Sequence, residues 1–302
     1  MKKKSSVTHK NSNKLKLLLI LTLSLSTGYA SFAQKEYKGI DILKDPSRTA
    51  PPMDKPRPIP LQKELLLKNM TWMEIRDLIK QGYTSVIIGT GGLEMNGPYM
   101  VTDKHNIIME NLAKGIASQL GNTLVATIVP YVPQGDLKGP SGLLRYHGTL
   151  GVSQQTFEHL LRDIAISLKH HGFTEIILLG DSGGNQRGLK TVSEELNQNW
   201  KGKPVVRYIP EYFDYEKWIG FQERNGIFEV SEGIHDIFRD TALLLLDNPI
   251  HIRKKQRLEN NLFSVNGIDL TDTIGIKRIG RALFDYQVGI TTDAIELARK
   301  ND

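Results

Sequence analysis

Residues 89–106, GTGGLEMNGPYMVTDKHN, lie between two clear structural signals in the sequence. They follow the apolar run Ser85–Ile88, which predicts a buried strand, and lead into an amphipathic pattern that predicts a helix over 106–120. In open α/β sheets ligands bind just beyond the carboxyl ends of the strands, so this polar, glycine-rich loop is a candidate site. Four of its side chains could bind a metal or transfer a proton: Glu94, Asn96, Asp103 and His105.

A second loop of the same kind, GDSGGN at residues 180–185, follows the apolar strand predicted at Glu175–Leu179. We expect the two strand exits to converge on one pocket, because neighbouring parallel strands end at the same edge of a sheet. Asp181, Ser182 and Asn185 are the polar side chains that the second loop would add.

Strand and helix patterns alternate along the rest of the chain. Thr71 and Glu74 form a capping-box pattern at the first helix, and Ser153 is a candidate N-cap for a helix to about residue 170. Further strands are predicted at 124–129, 147–150 and 205–209, and further helices at 186–199, 212–224, 240–246 and 276–299. This order predicts an α/β fold, three-layer α-β-α with a mainly parallel sheet.

Net charge argues against nucleic-acid binding. The chain has 302 residues, 39 basic against 33 acidic, and the six lysines before residue 17 account for the whole excess. Without them the balance is 39 − 6 = 33 against 33, so no basic domain exists to attract a phosphate backbone.

The N-terminus predicts export. The lysine-rich start, the apolar run 17–25 and Ser31-Phe32-Ala33 are typical of a signal peptide over residues 1–33, with Gln34 as the first mature residue and a periplasmic or secreted destination. The alternative is an uncleaved anchor, but the run is short for a membrane span. After cleavage we expect no membrane association.

Six prolines between residues 46 and 60 predict that residues 34–67 form a Pro-rich arm, either extended over a domain or acting as a linker. Residues 68–302 then form one α/β domain. The chain has no cysteine, so its core must stabilise it without disulfides.

The GDSGG pentapeptide also occurs around the nucleophile of trypsin-like proteases, but those are cysteine-bearing double β-barrels, and the match fails on architecture. A serine at a strand–turn–helix junction can still be an exposed nucleophile, with His235 as the candidate base. The simpler alternative is that Ser182 is a turn residue or helix cap.

Taken together, the motifs resemble those of the creatininase family. EMNGP at 94–98 resembles a family loop E-x-H-G-P, HGTL at 147–150 resembles P-G-T-[IL], and GDSGGN at 180–185 resembles N-G-H-G-G-N. HDIFRDTA at 235–242 resembles a late H-A-G-x-x-[ED]-T-S. The resemblance implies a layered α-β-α amidohydrolase that uses two divalent metals and often forms homo-oligomers.

The family pattern and this chain differ at the implied metal ligands. Glu94 is kept, Asn96 replaces a histidine, His105 falls where the family has a shared aspartate, and Ser182 replaces the histidine of the second loop. What remains, Glu94, His105 and Asp181, would suit one divalent ion, zinc or manganese, in preference to two. Asn96, Asp103 and Asn185 are expected to support the site or bind substrate, and the alternative for all of these groups is a role in capping and loop hydrogen bonds.

The resulting prediction is an exported metal-dependent hydrolase of a small amide or cyclic amide. In it His235 gives a proton to the leaving nitrogen, Asp240 holds His235, and Ser182 is a further catalytic candidate. Two alternatives stay open: a catalytically inactive binding or assembly protein on the same scaffold, and a metal-free serine hydrolase using Ser182 and His235. Trp218 is expected to edge the pocket or to pack in the core.

Overall fold

A computed structural model of the chain describes residues 51–139, 141–232 and 235–301. The predicted signal peptide and the first part of the arm, up to residue 50, lie outside the described residues. The chain divides into two compact units, Met1–Pro56 and Arg57–Asp302. Residues 51–56 of the first unit contain a turn closed by Lys55 N–H and the Pro52 carbonyl at 3.0 Å. Everything below concerns the second unit.

The second unit alternates strands and helices from Trp72 to its end. The helices are α1 Trp72–Lys80, α2 Lys104–Leu120, α3 Gln154–His170, α4 Gln186–Trp200, α5 Tyr215–Arg224, α6 Phe238–Asp247, α7 Lys254–Glu259 and α8 Thr273–Lys300. The strands are β1 Ser85–Thr90, β2 Thr123–Val125, β3 Glu175–Gly180, β4 Val205–Tyr208, β5 Ser264–Val265 and β6 Ile268–Asp269.

The first four strands form one parallel sheet in the order β2-β1-β3-β4. β1 and β3 are the central strands, and every residue of both is buried. Strands covered on both faces are expected to be continuous apolar runs, which explains why SVII and EIILL were readable in the sequence. The short β5–β6 hairpin is antiparallel and separate.

Helices cover both faces of this sheet. Side chains alternate along β1, so Ile87 packs in a core with α2, α6 and α8, while Val86 packs in a second core with α1, α3 and α4. The predicted three-layer α-β-α fold with a parallel sheet is thereby confirmed.

Local signals placed several boundaries correctly. Thr71 and Glu74 make both hydrogen bonds of a capping box, and the Ser153 side chain accepts the Thr156 N–H. Gly121 ends α2 with φ 75°, a left-handed conformation that glycine adopts without strain.

Two predicted strands are shorter than expected. β2 ends at Val125, and Val129 is joined to the sheet only by a single bridge to Thr90. The 147–150 segment is not a strand, because only Leu150 makes a bridge, to Leu93. β1 continues beside the first of these segments to Thr90, but Thr90 pairs with Val129 where the β2 register would place residue 128, so one extra residue interrupts the ladder.

The end of the predicted arm, residues 57–67, belongs to the second unit. The Leu65 carbonyl accepts the Val125 N–H at 2.8 Å, and Leu66 is buried beside β2. Within the described residues, no helix combines the length and apolarity that crossing a membrane requires.

Candidate active site

The two loops singled out in the sequence meet because β1 and β3 are neighbours in register, with Thr90 opposite Gly180. Asn185 joins the loops: its Nδ2 lies 3.0 Å from the Thr90 carbonyl, 2.9 Å from Thr90 Oγ1 and 3.0 Å from the Gly91 carbonyl. The predicted convergence is therefore present, and Asn185 holds the loops together.

The start of α2 is held against the end of β1 by Asn106. Its Oδ1 accepts the Gly92 N–H at 3.0 Å, and its Nδ2 donates to the Gly92 carbonyl at 3.2 Å. A Cβ on Gly91 would lie 2.1 Å from Asn106 Oδ1, so only glycine allows this approach. These two hydrogen bonds fix the residue next to Asn106, His105, over the edge of the sheet.

His105 lies between two buried carboxylates. Its Nε2 is 2.6 Å from Glu94 Oε1, and its Nδ1 is 2.8 Å from Asp181 Oδ2. Burial and the adjacent Lys104 lower the pKa of His105, but the two carboxylates outweigh them and hold the pKa above its usual value.

Asp181 has further partners on its other oxygen. The buried Tyr212 hydroxyl donates to Oδ1 at 2.9 Å, and Arg239 lies 3.3 Å from the same atom. Burial, together with the charge of Asp181, raises the pKa of Tyr212 well above its usual value, so the hydroxyl remains a donor. Asp181 is thus anchored from three elements.

A second ion-paired group lies beside the first. Asp240 is bound by Lys104 Nζ at 3.0 Å and by Arg239 at 2.6 Å, and all three side chains are at most 4% exposed. Burial raises the pKa of Asp240, but Lys104 and then Arg239 outweigh it and lower the pKa to about 2. Arg239 also donates to Gln287 at 2.7 Å and lies 3.9 Å from the Trp218 ring centroid.

His235 is the accessible member of the site, with 44% of its side chain exposed. Its Nδ1 lies 3.0 Å from Glu94 Oε1, so Glu94 contacts two histidines. Its backbone has φ 49°, an uncommon conformation for a non-glycine residue and one found at functional sites. The expected partner of His235, Asp240, is engaged by Lys104 instead, and Glu94 takes the orienting position.

Glu94 is 1% exposed, and the same oxygen of its carboxylate contacts both histidines. Burial alone would raise the pKa of its carboxyl, but hydrogen bonds from His105 and His235 hold it far below the usual range. Its Oε2 is buried and has no hydrogen-bond partner.

A cavity of about 640 Å³ opens over these groups. Its lining includes His105, Asp181, Ser182, Trp218, His235 and Asp236. Ser182 is therefore at the site, but among the described residues no hydrogen bond joins it to His235.

Asp236 is a further acid in the lining of the cavity. Its Oδ1 is buried without a hydrogen-bond partner, and burial raises its pKa to about 6. A carboxyl group that titrates near neutral pH beside a histidine is suited to proton transfer.

Two predicted supporting residues bind the loop backbone and not the cavity. Asn96 Nδ2 donates to the Glu94 and Val101 carbonyls at 2.8 and 3.1 Å. Asp103 is exposed before α2 and accepts a hydrogen bond from Asn106 at 2.7 Å. Both shape the loop that carries Glu94 and His105.

Sequence reasoning did not identify Lys104, Tyr212, Asp236 and Arg239. Lys104 and Asp236 each adjoin a histidine that was identified, and Arg239 lies inside the late motif. Nothing in the sequence shows that Lys104 and Arg239 are buried, since lysine and arginine are normally exposed.

One ion shared by Glu94, His105 and Asp181 does not fit this geometry. The two carboxylates contact different ring nitrogens, which point away from each other, so an ion on the Glu94 side of the ring is remote from Asp181. A histidine binds metal through an unprotonated nitrogen, and here both nitrogens face carboxylate oxygens. In the part of the chain that the structure describes, no three histidine, aspartate or glutamate side chains are grouped to hold a metal.

A parallel sheet covered on both faces, with charged loops at the carboxyl ends of its central strands, defines a layered α/β protein with a sheet-edge site. The chain belongs to the creatininase family, whose model, described as creatinine amidohydrolase, matches residues 68–277.

Solved structures with the same fold include three forms of creatininase. A tryptophan-to-alanine mutant has a TM-score of 0.55 at 18% identity, over 79% of this chain and 98% of that one. A manganese form has 0.53 at 19%, over 79% and 98%. A glutamate-to-glutamine mutant of Zn–Zn type has 0.52 at 19%, over 80% and 98%. No curated protein matches the chain.

Proposed function

We propose that the protein hydrolyses the C–N bond of a small amide or cyclic amide. Membership of the creatininase family supports an amidohydrolase of this general kind. The observation that carries the proposal for this chain is the Glu94–His235 contact at 3.0 Å, where the buried carboxylate orients an exposed imidazole at the cavity.

The histidine and its neighbour divide the proton transfers between them. Asp236, with a pKa raised to about 6 by burial, is ionised at neutral pH and takes a proton from the attacking water. His235 gives a proton from Nε2 to the leaving nitrogen, while Nδ1 stays on Glu94 and the carboxylate stabilises the charged ring. No step in this scheme uses Ser182 or Asp240.

The cavity wall favours a small, flat substrate. Trp218 packs edge-on against Phe213 with ring centroids 5.3 Å apart, and both line the cavity with Tyr215. Trp218 Nε1 is buried and has no hydrogen-bond acceptor among the described residues, so the ring offers the cavity its apolar surface. Creatinine, the compound in the description of the family model, is the first compound to test.

Divalent metals are present in the zinc and manganese forms of creatininase described above. In this chain the expected ligand set does not fit one ion, so the proposed scheme assigns the chemistry to side chains alone. The metal requirement is therefore measured separately from turnover.

The test compares turnover of creatinine and other small lactams and amides by wild type, His235→Ala and Glu94→Gln. Losing an acid–base group lowers rate on the order of 10²–10⁴-fold, and we expect kcat to fall by this much in both variants. His159→Ala is the matched control, because His159 is exposed on α3. Wild-type kcat in His235→Ala would refute the role of His235.

The same panel of lactams and amides distinguishes the two alternatives, a metal-free serine hydrolase and a catalytically inactive scaffold. Labelling of Ser182 by a serine-directed phosphonate, together with loss of turnover in Ser182→Ala, would favour the serine hydrolase. Binding of a panel compound without turnover in any condition would favour the inactive scaffold.

We further propose that the protein is exported as a mature chain beginning at Gln34 and that it forms a homo-oligomer. Export rests on the signal-peptide pattern in residues 1–33 and the oligomer on the family resemblance. Sequencing of the mature N-terminus and light scattering test the two separately.

A further inference from the structure

The ion-paired charges at the base of the site balance without any added ion. Three carboxylates lie at its base, Glu94, Asp181 and Asp240, each at most 2% exposed. Three basic side chains face them. They are His105, Lys104 and Arg239, exposed by 7%, 3% and 2%.

His105, the first of these basic groups, lies between Glu94 and Asp181. Glu94 and Asp181 contact opposite nitrogens of His105 at 2.6 and 2.8 Å. With both carboxyls ionised, both contacts are hydrogen bonds only if both nitrogens carry a proton. Such charge-assisted bonds are short, as these are.

The other two basic side chains, Lys104 and Arg239, bind the third acid, Asp240. Lys104 Nζ and Arg239 reach separate oxygens of Asp240 at 3.0 and 2.6 Å, and Arg239 extends to Asp181 at 3.3 Å. A divalent cation added to this balanced group would bring two uncompensated charges into a buried region.

We propose that this chain builds the positive charge of its site from His105, Lys104 and Arg239, which take the place of a divalent metal ion. Glu94 is then a partner of two imidazoles and not a metal ligand. The inference stands apart from the proposed function, because it concerns what holds the site together and not which bond is cleaved.

The test begins with metal content. The full chain is expressed with its leader in medium containing zinc and manganese, purified without chelator and measured by elemental analysis. We expect metal far below one ion per chain, and a melting temperature unchanged by EDTA or by added Zn²⁺ or Mn²⁺. One or more ions per chain, with a fall in melting temperature on EDTA, would overturn the inference and leave amide hydrolysis untouched.

A substitution tests the role of the imidazole directly. In His105→Gln the neutral amide can donate to one carboxylate but not to both, so we expect the melting temperature to fall by about 5–10 °C. His159→Gln, the same change at an exposed histidine of α3, should shift it by less than about 1 °C.

An unchanged melting temperature in His105→Gln would overturn the assignment of His105. If this variant does not fold, Lys104→Arg gives a second measurement, because it keeps the charge facing Asp240. It should fold without metal and remain insensitive to EDTA, and a variant that requires Zn²⁺ or Mn²⁺ would contradict the proposal.

Discussion

Replacing Lys104 with methionine tests the ion-paired base of the site most directly. Lys104 and Asp240 have side chains only 4% and 3% exposed, so the pair is buried. Removing one partner of such a pair costs about 3–5 kcal/mol, because the other charge stays buried without compensation. Arg239 still binds the other oxygen of Asp240 at 2.6 Å, so we expect the lower end, about 3 kcal/mol.

The assay is reversible urea unfolding, with a thermal melt as a second measure. A loss of about 3 kcal/mol corresponds to a fall in melting temperature of about 6–12 °C for a domain of this size. Lys190→Met is the matched control: Lys190 and Glu194 are 4.0 Å apart and more than 60% exposed, so the change should cost less than about 0.5 kcal/mol. Adding Asp240→Asn to Lys104→Met should recover part of the loss.

The pH dependence of stability gives an independent check on the sign of the contribution made by the Asp240 ion pairs. The pKa of Asp240 is lowered from 3.8 to about 2, so its ion pairs stabilise the fold above pH 4 and lose that effect as the pH falls toward 2. The gap in stability between wild type and Lys104→Met should therefore narrow over this range. Equal stability of the two proteins at pH 7 would show that the Lys104–Asp240 pair does not stabilise the fold.

Three further predictions follow from single residues. Burial raises the pKa of Asp236 to about 6, so ionising this carboxyl disfavours the folded state. Asp236→Asn should therefore stabilise the protein by on the order of 1 kcal/mol at pH 7, after discounting for partial exposure, and should have no effect at pH 3. Urea unfolding at both pH values measures this, and the same effect at pH 7 and pH 3 would contradict it. His105→Asp changes the net charge of the ion-paired group by two, to four acids against two cations. It should lower the melting temperature, and added Zn²⁺ or Mn²⁺ should raise it again. No response to metal in differential scanning fluorimetry would show that the positive charge of His105 is not needed there. Tyr212→Phe removes a 2.9 Å hydrogen bond to Asp181 and should cost about 1.5–3 kcal/mol in urea unfolding, and a loss below about 0.5 kcal/mol would show that the hydroxyl does not stabilise Asp181.

The layers of this fold can be predicted from the residues alone. The apolar runs at Ser85–Ile88 and Glu175–Leu179 are buried on both faces and therefore appear as continuous hydrophobic segments, and the capping residues Thr71 and Ser153 act within one helical turn. Because parallel strands end at one edge, the meeting of the two polar loops could also be predicted, and with it the presence of Glu94, His105 and Asp181 at one site.

The contacts that those residues make with one another depend on how the chain packs in three dimensions. Glu94, His105 and Asp181 could surround an ion, or the two carboxylates could bind opposite nitrogens of the imidazole. Which arrangement forms depends on which ring nitrogen faces which carboxylate. That follows from the packing of α2 against β1 and β3. The burial of Lys104 against Asp240 depends on segments more than a hundred residues apart, and so does the contact of His235 with Glu94 in place of Asp240. Pairing between charges is a property of distance and burial in space, and residue order along the chain does not specify either one.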